Sequence, residues 1–342
     1  MHITDQPPMV EAKRPALRLA TRKSPLALAQ AQLVADALVS TAHVRSDIVG
    51  ITTQGDAMRD RSLSAIGGDG VFVKELMQAL LQGRADVAVH SMKDLPTELP
   101  PSLCAGAVLK RADARDALVS KDSRYRSIEA LPPNAVVGTS SLRRSAQVLS
   151  LRPDIVIKPL RGNVDSRVRK LIAGDYDAIL LAVAGLERIG LARSVGGVVP
   201  LDPHIVVPAV AQGALYVQCR ADDDATLALL APLDDAATSL ACDMERAFLR
   251  RLGGGCAVPI GAYVEMEGDR FSLHACISSA DGRQSVRRVH RDALPSSGEG
   301  PQRRSAAIAI VEGIADEMLA AGGRDMLSAF RHAAGITGEA NT

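Results

Sequence analysis

The sequence predicts an α/β protein built as two successive α/β lobes followed by a smaller α+β C-terminal domain. Three observations carry this. Short apolar runs alternate with helix-like patterns over the first 220 or so residues. That alternation stops and restarts near Arg115. The last third instead reads as one long helix, a three-strand meander and a closing helix. Regular βαβ alternation implies a mostly parallel sheet covered by helices, and two such runs imply two lobes with a cleft between them. A chain of 342 residues exceeds what one hydrophobic core usually serves.

The elements follow in order. Leu17 to Ala20 is a strand, and Ser24-Pro25 then supplies an N-cap and first helical position for a helix to about Val39. Val44 to Thr53 is a strand. Gly55 to Gly70 is polar and Gly-rich, long enough for a lid. Val71 to Leu81 is helical, and Asp86 to His90 is a buried strand. In the second run, Ala135 to Gly138 is a strand and Ser141 to Ser150 a helix. Asp154 to Leu160 is a strand, Val164 to Ala173 a helix, and Ala178 to Ala182 a strand. Asp234 to Leu252 is a long helix stopped by three glycines. Val258 to Met266, Phe271 to Ser278 and Ser285 to His290 form the meander, and Ser305 to Ala320 an amphipathic helix.

Composition excludes several functions. Forty Lys and Arg oppose 39 Asp and Glu, and only eight residues are aromatic, so neither a general polyanion binder nor a base-stacking surface is expected. No stretch is apolar over the ~18 or more residues a membrane span requires. The five cysteines, at 104, 219, 242, 256 and 276, include no C-x-x-C pair and no zinc spacing. A disulfide framework and a bound metal are therefore not expected, and a reducing cytosol fits. Residues 1–16 lack an apolar core of signal-peptide type and read as a disordered leader, and 336–342 as a loose tail.

Of the basic residues 32 are Arg, which a GC-rich genome explains as well as carboxylate recognition does. Their placement is more informative. Ser141 to Lys170 carries eight basic residues and two acids, whereas Asp222 to Glu245 carries seven acids and no base. The near-neutral total averages two opposite fields, although each could be a solvated face.

Gly138-Thr-Ser-Ser-Leu-Arg-Arg144 is a strand, a tight turn and a helix start with two Arg in its first turn. Free N–H groups and forked donors there suit an anion, but a capping Ser before solvated Arg has the same sequence. Leu160-Arg-Gly-Asn163, with Arg167 four residues on, is a strand-end loop of the kind that holds ligands in open α/β sheets. Lys93 and Asp94 follow a buried strand and could supply a cation and a carboxylate, or form an exposed loop. His90 reads as a packed histidine. Cys256, after Gly253-Gly254-Gly255, is a loop thiol that can be approached closely or simply a small buried residue.

Taken together these segments resemble the porphobilinogen deaminase (hydroxymethylbilane synthase) family. The matching pieces are Arg18-Leu-Ala-Thr-Arg-Lys-Ser-Pro-Leu-Ala27, Val73-Lys-Glu-Leu76, Ala88-Val-His-Ser-Met-Lys-Asp94 and Gly138-Thr-Ser-Ser-Leu-Arg-Arg144. Leu160-Arg-Gly-Asn163, Asp175-Tyr-Asp-Ala-Ile-Leu-Leu-Ala-Val-Ala-Gly-Leu186, Gln212-Gly-Ala214 and Gly254-Gly-Cys-Ala-Val-Pro-Ile-Gly261 complete them. They occur in the family's order from about Leu17 to Arg331.

The resemblance implies two lobes like those of periplasmic binding proteins, at 17–110 with 208–230 and at 111–207. It adds a third domain at 231–335 with the cofactor cysteine. It implies a monomeric cytoplasmic transferase of tetrapyrrole biosynthesis that deaminates four porphobilinogen molecules and joins them head to tail. The primer is a dipyrromethane held by a thioether, here on Cys256. Lys93, Asp94, Thr139, Ser141, Arg143 and Arg144 would bind that cofactor. Arg22, Ser24, Arg161, Arg167 and Arg188 would bind substrate and growing chain, and Asp94 would be the catalytic carboxylate. Each pyrrole bears an acetate and a propionate, which bidentate Arg suits.

Two departures stand out. The family's lid usually reads Gly-Gly-Lys-Gly, here Gly67-Gly68-Asp69-Gly70, and Gly253 replaces a frequent Glu before the cysteine loop. The lid's electrostatics are expected to change while the core constellation stays. A two-lobe anion-binding protein without chemistry is the alternative. It leaves the Cys256 loop and the third domain unexplained. A nucleic-acid regulator fits less, for want of a helix-turn-helix pattern.

Overall fold

The computed structural model describes residues 16–53, 73–121, 123, 125–254, 258–295 and 300–334. The leader up to residue 15, the lid at 55–70, Cys256 and the tail lie outside the described residues.

The first unit runs β1 (Leu17–Arg22), α1 (Pro25–Ala42), β2 (Ser46–Ile51), α2 (Lys74–Leu81), β3 (Val87–Ser91) and β4 (Leu103–Val108). The second runs β5 (Asp116–Ser120), β6 (Val136–Gly138), α3 (Leu142–Leu151), β7 (Val156–Lys158), α4 (Val164–Ala173), β8 (Ala178–Ala182), α5 (Val183–Arg188) and β9 (Gly197–Pro200). Then come β10 (Leu215–Arg220), α6 (Asp224–Leu230) and α7 (Ala236–Arg251). The chain closes with β11 (Ile260–Glu267), β12 (Arg270–Ser278), β13 (Ser285–Ala293), α8 (Pro301–Met318) and α9 (Arg324–Ala333).

Local chemistry sets the helix ends. The Ser24 hydroxyl accepts from the Ala27 N–H at 3.2 Å, and Pro25 fits the first turn. Ala27, Ala31, Val34, Ala35 and Leu38 give α1 one buried stripe. The helix runs three residues past Val39, and His43 in the left-handed region closes it.

Three sheets result, ordered β2-β1-β3-β10-β4, β7-β6-β8-β5-β9 and β11-β12-β13. The expectation of mostly parallel sheets holds, since four of the five strands in each large sheet run in one direction and one crossover strand runs against them. β2, β1 and β3 are parallel, but β10 runs antiparallel between β3 and β4. In the second sheet β5 runs antiparallel between β8 and β9. The cause is connectivity. The chain leaves the first sheet after β4, builds the second, and returns as β10. Strands that cross between sheets enter against the local βαβ direction.

Apolar clusters cover both faces of each large sheet. The largest joins α2 and β3 to Phe248 of α7, Leu273 of β12 and Val311 of α8, so the C-terminal layer packs on one face of the first sheet. A buried hub ties that layer to both crossover segments. The Glu245 carboxylate, fully buried, accepts from Arg111 at 2.5 and 3.1 Å, from the Ala211 N–H at 2.6 Å and from the Val264 N–H at 2.7 Å. Arg111 also donates to the Gln212 carbonyl and lies over the Tyr263 ring.

The acidic run from Asp222 to Glu245 is thus largely structural rather than a solvated face. Asp223 and Asp235 cap α6 and α7, Asp234 accepts the Val108 N–H at 2.7 Å, and Asp243 pairs with Arg304. Beyond α8, Gly322 and Gly323 mark a kink rather than the end of helix, and α9 continues after it. Among the described residues no helix is long and apolar enough to cross a membrane.

Candidate active site

The site is assembled from strand ends. After β3 the chain makes a single turn over Met92–Asp94, pinned by buried Met92, whose N–H donates to the Ala214 carbonyl at 3.1 Å. This turn sets Lys93 and Asp94 at the end of β3. In the second unit β6 ends at Gly138, where a side chain would strike Tyr176 at 2.7 Å. The Thr139 hydroxyl accepts the Ser141 N–H at 3.1 Å, and the Ser141 hydroxyl caps α3 by accepting the Arg144 N–H at 3.4 Å. Capping orients the first turn, and Arg143 and Arg144 project from it.

Both guanidiniums are buried and share one carboxylate. Asp116, wholly buried at the start of β5, accepts from Arg143 Nη1 at 2.6 Å and from Arg144 Nη2 at 2.7 Å and Nε at 3.0 Å. Arg143 also donates to the Val207 carbonyl at 2.6 Å, and Arg144 to the Leu180 carbonyl at 3.0 Å. The Gln212 amide donates to Asp116 at 2.9 Å and accepts from Lys93 Nζ at 3.2 Å. One continuous network therefore runs from Lys93 through the returning segment to the two arginines. Burial alone raises the Asp116 carboxyl, but the adjacent Arg143 and Arg144 outweigh it and hold it well below the usual range.

A cleft opens where these elements meet. Four cations line it: Lys93, Arg144, Arg167 and Arg188. Arg167 is braced by donating to the Gly162 carbonyl at 2.8 Å, and Arg188 by donating to the Gly213 carbonyl at 2.6 Å. Gln30 and Ser91, also on the wall, exchange hydrogen bonds at 3.0 and 3.1 Å.

The cations perturb one another. Burial, with the charges of Arg144 and Arg143 added, pushes Lys93 down to about 8, although Asp94 and Asp116 oppose it. Burial and then Arg144 lower Arg167 to about 10, and Asp94 opposes that shift too. Burial lowers Arg188 to about 10. Positive charge is crowded in a poorly hydrated space, and an anion with several carboxylates relieves it. Asp94 follows the cleft-lining Lys93 in the same turn and is half-buried at the cleft's edge, where its charge opposes the downward shifts of Lys93 and Arg167.

Of the sequence-predicted residues, the structure brings Lys93, Arg144, Arg167 and Arg188 onto one wall with Asp94 beside them. Arg22, Ser24, Thr139, Ser141, Arg143 and Arg161 are not on that wall. Ser24, Thr139 and Ser141 serve as caps or turn acceptors, and Arg143 stands behind Arg144. His90 is a packed side chain bonded to Gln218 at 3.2 Å, and burial pushes it down to about 4. Cys256 lies outside the described residues. Among the described residues no group of His, Cys, Asp and Glu could hold a metal. Sequence reasoning missed Asp116 and the role of Gln212. The one available signal for Asp116 was a single acid opening the apolar strand Ala117-Leu-Val119.

Two α/β lobes, a cationic cleft at their junction and a carboxylate at its edge define a class: a two-lobe α/β protein with a cleft suited to an anion. The comparisons specify it further. Residues 17–228 match the family model described as "Porphobilinogen deaminase, dipyromethane cofactor binding domain", and 239–320 match "Porphobilinogen deaminase, C-terminal domain". A porphobilinogen deaminase of a Roseiflexus species is 48% identical over 316 residues, covering 91% of this chain and 98% of that one. One from Brevibacillus brevis is 46% identical over 313 residues, covering 91% and 96%. The chain belongs to the porphobilinogen deaminase family. Among solved structures, a substrate-binding domain of Lactococcus lactis GlnP is 11% identical, with a TM-score of 0.40 over 70% of this chain and 92% of that one.

Proposed function

We propose that the cationic cleft is where this transferase makes hydroxymethylbilane from porphobilinogen, primed by the family's dipyrromethane. The observation that carries the reading is the convergence of Lys93, Arg144, Arg167 and Arg188 on one wall beside Asp94. Those residues fit the group, because a dipyrromethane offers two acetates and two propionates to a wall crowded with positive charge. When bound through a thioether to Cys256, the dipyrromethane supplies the free α-carbon to which the first pyrrole is joined.

This chain's residues do the rest. Lys93 and Arg144 hold cofactor carboxylates, with Arg143, Thr139 and Ser141 of the same turn. Asp116 fixes the planes of both guanidiniums, so their forks are oriented before any anion arrives. Arg167 and Arg188 hold the carboxylates of incoming substrate, with Arg22, Ser24 and Arg161 completing the path. Asp94 faces the reacting pyrroles. Loss of ammonia from porphobilinogen leaves an electron-poor methylene-pyrrole cation, and a fixed carboxylate beside the pyrrole N–H groups stabilises it. The same carboxylate can take the proton released when the new carbon–carbon bond restores the ring.

The enzyme is read as a monomer in the cytoplasm, acting on a small molecule and not on nucleic acid. The balanced charge and the eight aromatics support the last point. A direct test incubates the purified protein with porphobilinogen and follows ammonia and product mass. Release of one ammonia per pyrrole and a linear four-pyrrole product are expected. Tight binding of porphobilinogen with no ammonia released would instead leave the non-catalytic anion-binding protein.

A further inference from the structure

The first sheet holds a cysteine pair that the reaction does not use. Cys104 lies on β4 and Cys219 on β10, neighbouring antiparallel strands, 115 positions apart in sequence. They are direct register partners, and their sulfurs are 4.0 Å apart. A β-bulge makes them so. Tyr216 pairs with Val108 and Val217 with Ala107, which would put Cys219 opposite Ala105. The register then shifts, Gln218 pairs with Ala105, and Cys104 comes to face Cys219.

We propose that Cys104 and Cys219 form a redox-active dithiol that closes reversibly into a cross-strand disulfide by exchange with a low-molecular-weight disulfide. Closure moves the sulfurs from 4.0 Å to about 2.05 Å, a distance that side-chain rotation and a slight tightening of the strands can cover. Facing strand residues hold their Cβ atoms about 4.5–5.5 Å apart, whereas a relaxed disulfide prefers about 3.8 Å. A bond made across that wider spacing carries slight strain. Strained disulfides are the easily reduced ones, which suits a reversible link and not a permanent staple.

The two thiols have different exposures and so different parts. Cys104 is half-buried and Cys219 fully buried. Burial, then the neighbouring Cys104, pushes the Cys219 thiol up to about 12, while Arg220 opposes that and Asp223 adds to it. Cys104 therefore meets the reagent first. Its thiolate attacks the small disulfide, forms a mixed disulfide and releases one small thiol. Cys219 then gives up its proton, attacks the Cys104 sulfur and expels the second thiol. Two protein thiols are oxidised and one small disulfide is reduced to two thiols. The product ties β4 covalently to β10, the strand by which the chain returns to the first sheet.

The test uses the full-length protein, folded and reduced, and oxidised glutathione as the probe. Remaining thiols are alkylated and the digest is mapped without reduction. The expected result is a linked Cys104–Cys219 peptide, two hydrogens lighter than its reduced parts and restored by dithiothreitol. Cys242 and Cys276 remain alkylatable on unfolding, and Cys104→Ser loses the linked peptide. Glutathione retained on Cys104 without the link, a link to another cysteine, or no change in the wild-type protein would each overturn the proposal. The wild-type map decides the matter even where a variant folds poorly.

Discussion

Asp116→Asn is the substitution with the most to say about how the site is built. It keeps shape and volume but removes the one negative charge between two buried guanidiniums. In the wild-type protein Asp116 accepts four hydrogen bonds, three from Arg143 and Arg144 and one from Gln212. The asparagine keeps one oxygen and turns an amide donor toward guanidinium donors. Breaking a buried ion pair from one side costs about 3–5 kcal/mol, because the partner charge stays buried and unpaired. At roughly 2–4 °C per kcal/mol for a unit of this size, Tm should fall by roughly 6–20 °C.

Far-UV circular dichroism is the suitable probe, since the chain has no Trp. The effect depends on pH. The folded-state pKa of Asp116 lies below its unfolded value, so its contribution is complete above about pH 4 and is lost as pH falls further. The gap between wild type and variant should stay constant from pH 5 to 8 and narrow below about pH 4. Adding Arg143→Met to the variant should restore part of the loss by removing one of the unpaired cations. A fall in Tm under about 2 °C, or no recovery with Arg143→Met, would refute the idea that Asp116 is the counter-ion holding this turn together.

Two other outcomes follow from the same structure. Asp94→Ala should lower kcat by about 10² or more while Tm changes little, because Asp94 sits at the cleft's edge and not in a core; a large fall in Tm would indicate a structural role. Gly213→Ala should cost about 1–3 kcal/mol in thermal or urea unfolding, since φ is +90° and a Cβ there would lie 2.6 Å from the Ala112 carbonyl oxygen; an unchanged midpoint would show that the crossover segments tolerate separation.

Local signals in the sequence located local features well. The Ser24 and Ser141 caps, α4 over Val164–Ala173 and β8 over Ala178–Ala182 all lie where periodicity and capping chemistry put them. What the sequence hid depends on contacts between distant positions. β4 and β5 are not set in a strand–helix–strand alternation, and the return of β10 to the first sheet is expected from the family resemblance and not from any local signal. Asp116 looks like an ordinary strand-opening acid until residues 27 and 28 positions on fold over it. The acidic run was misleading for a similar reason, since only the tertiary structure shows Glu245 buried against Arg111. The candidate site divides the same way. Lys93, Arg144, Arg167 and Arg188, all named from the sequence, converge, whereas the network that braces them, through Gln212 and Asp116, becomes visible only in the fold.

The central proposal is that a dipyrromethane primer is held by a thioether to Cys256 and that the cationic cleft binds its carboxylates. The most direct test is the intact mass of the purified protein, beside that of Cys256→Ala. The account predicts a covalent addition of two linked pyrroles on the wild-type chain and none on the variant, which should fold yet fail to release ammonia from porphobilinogen. A folded, active protein whose Cys256 is unmodified would contradict it.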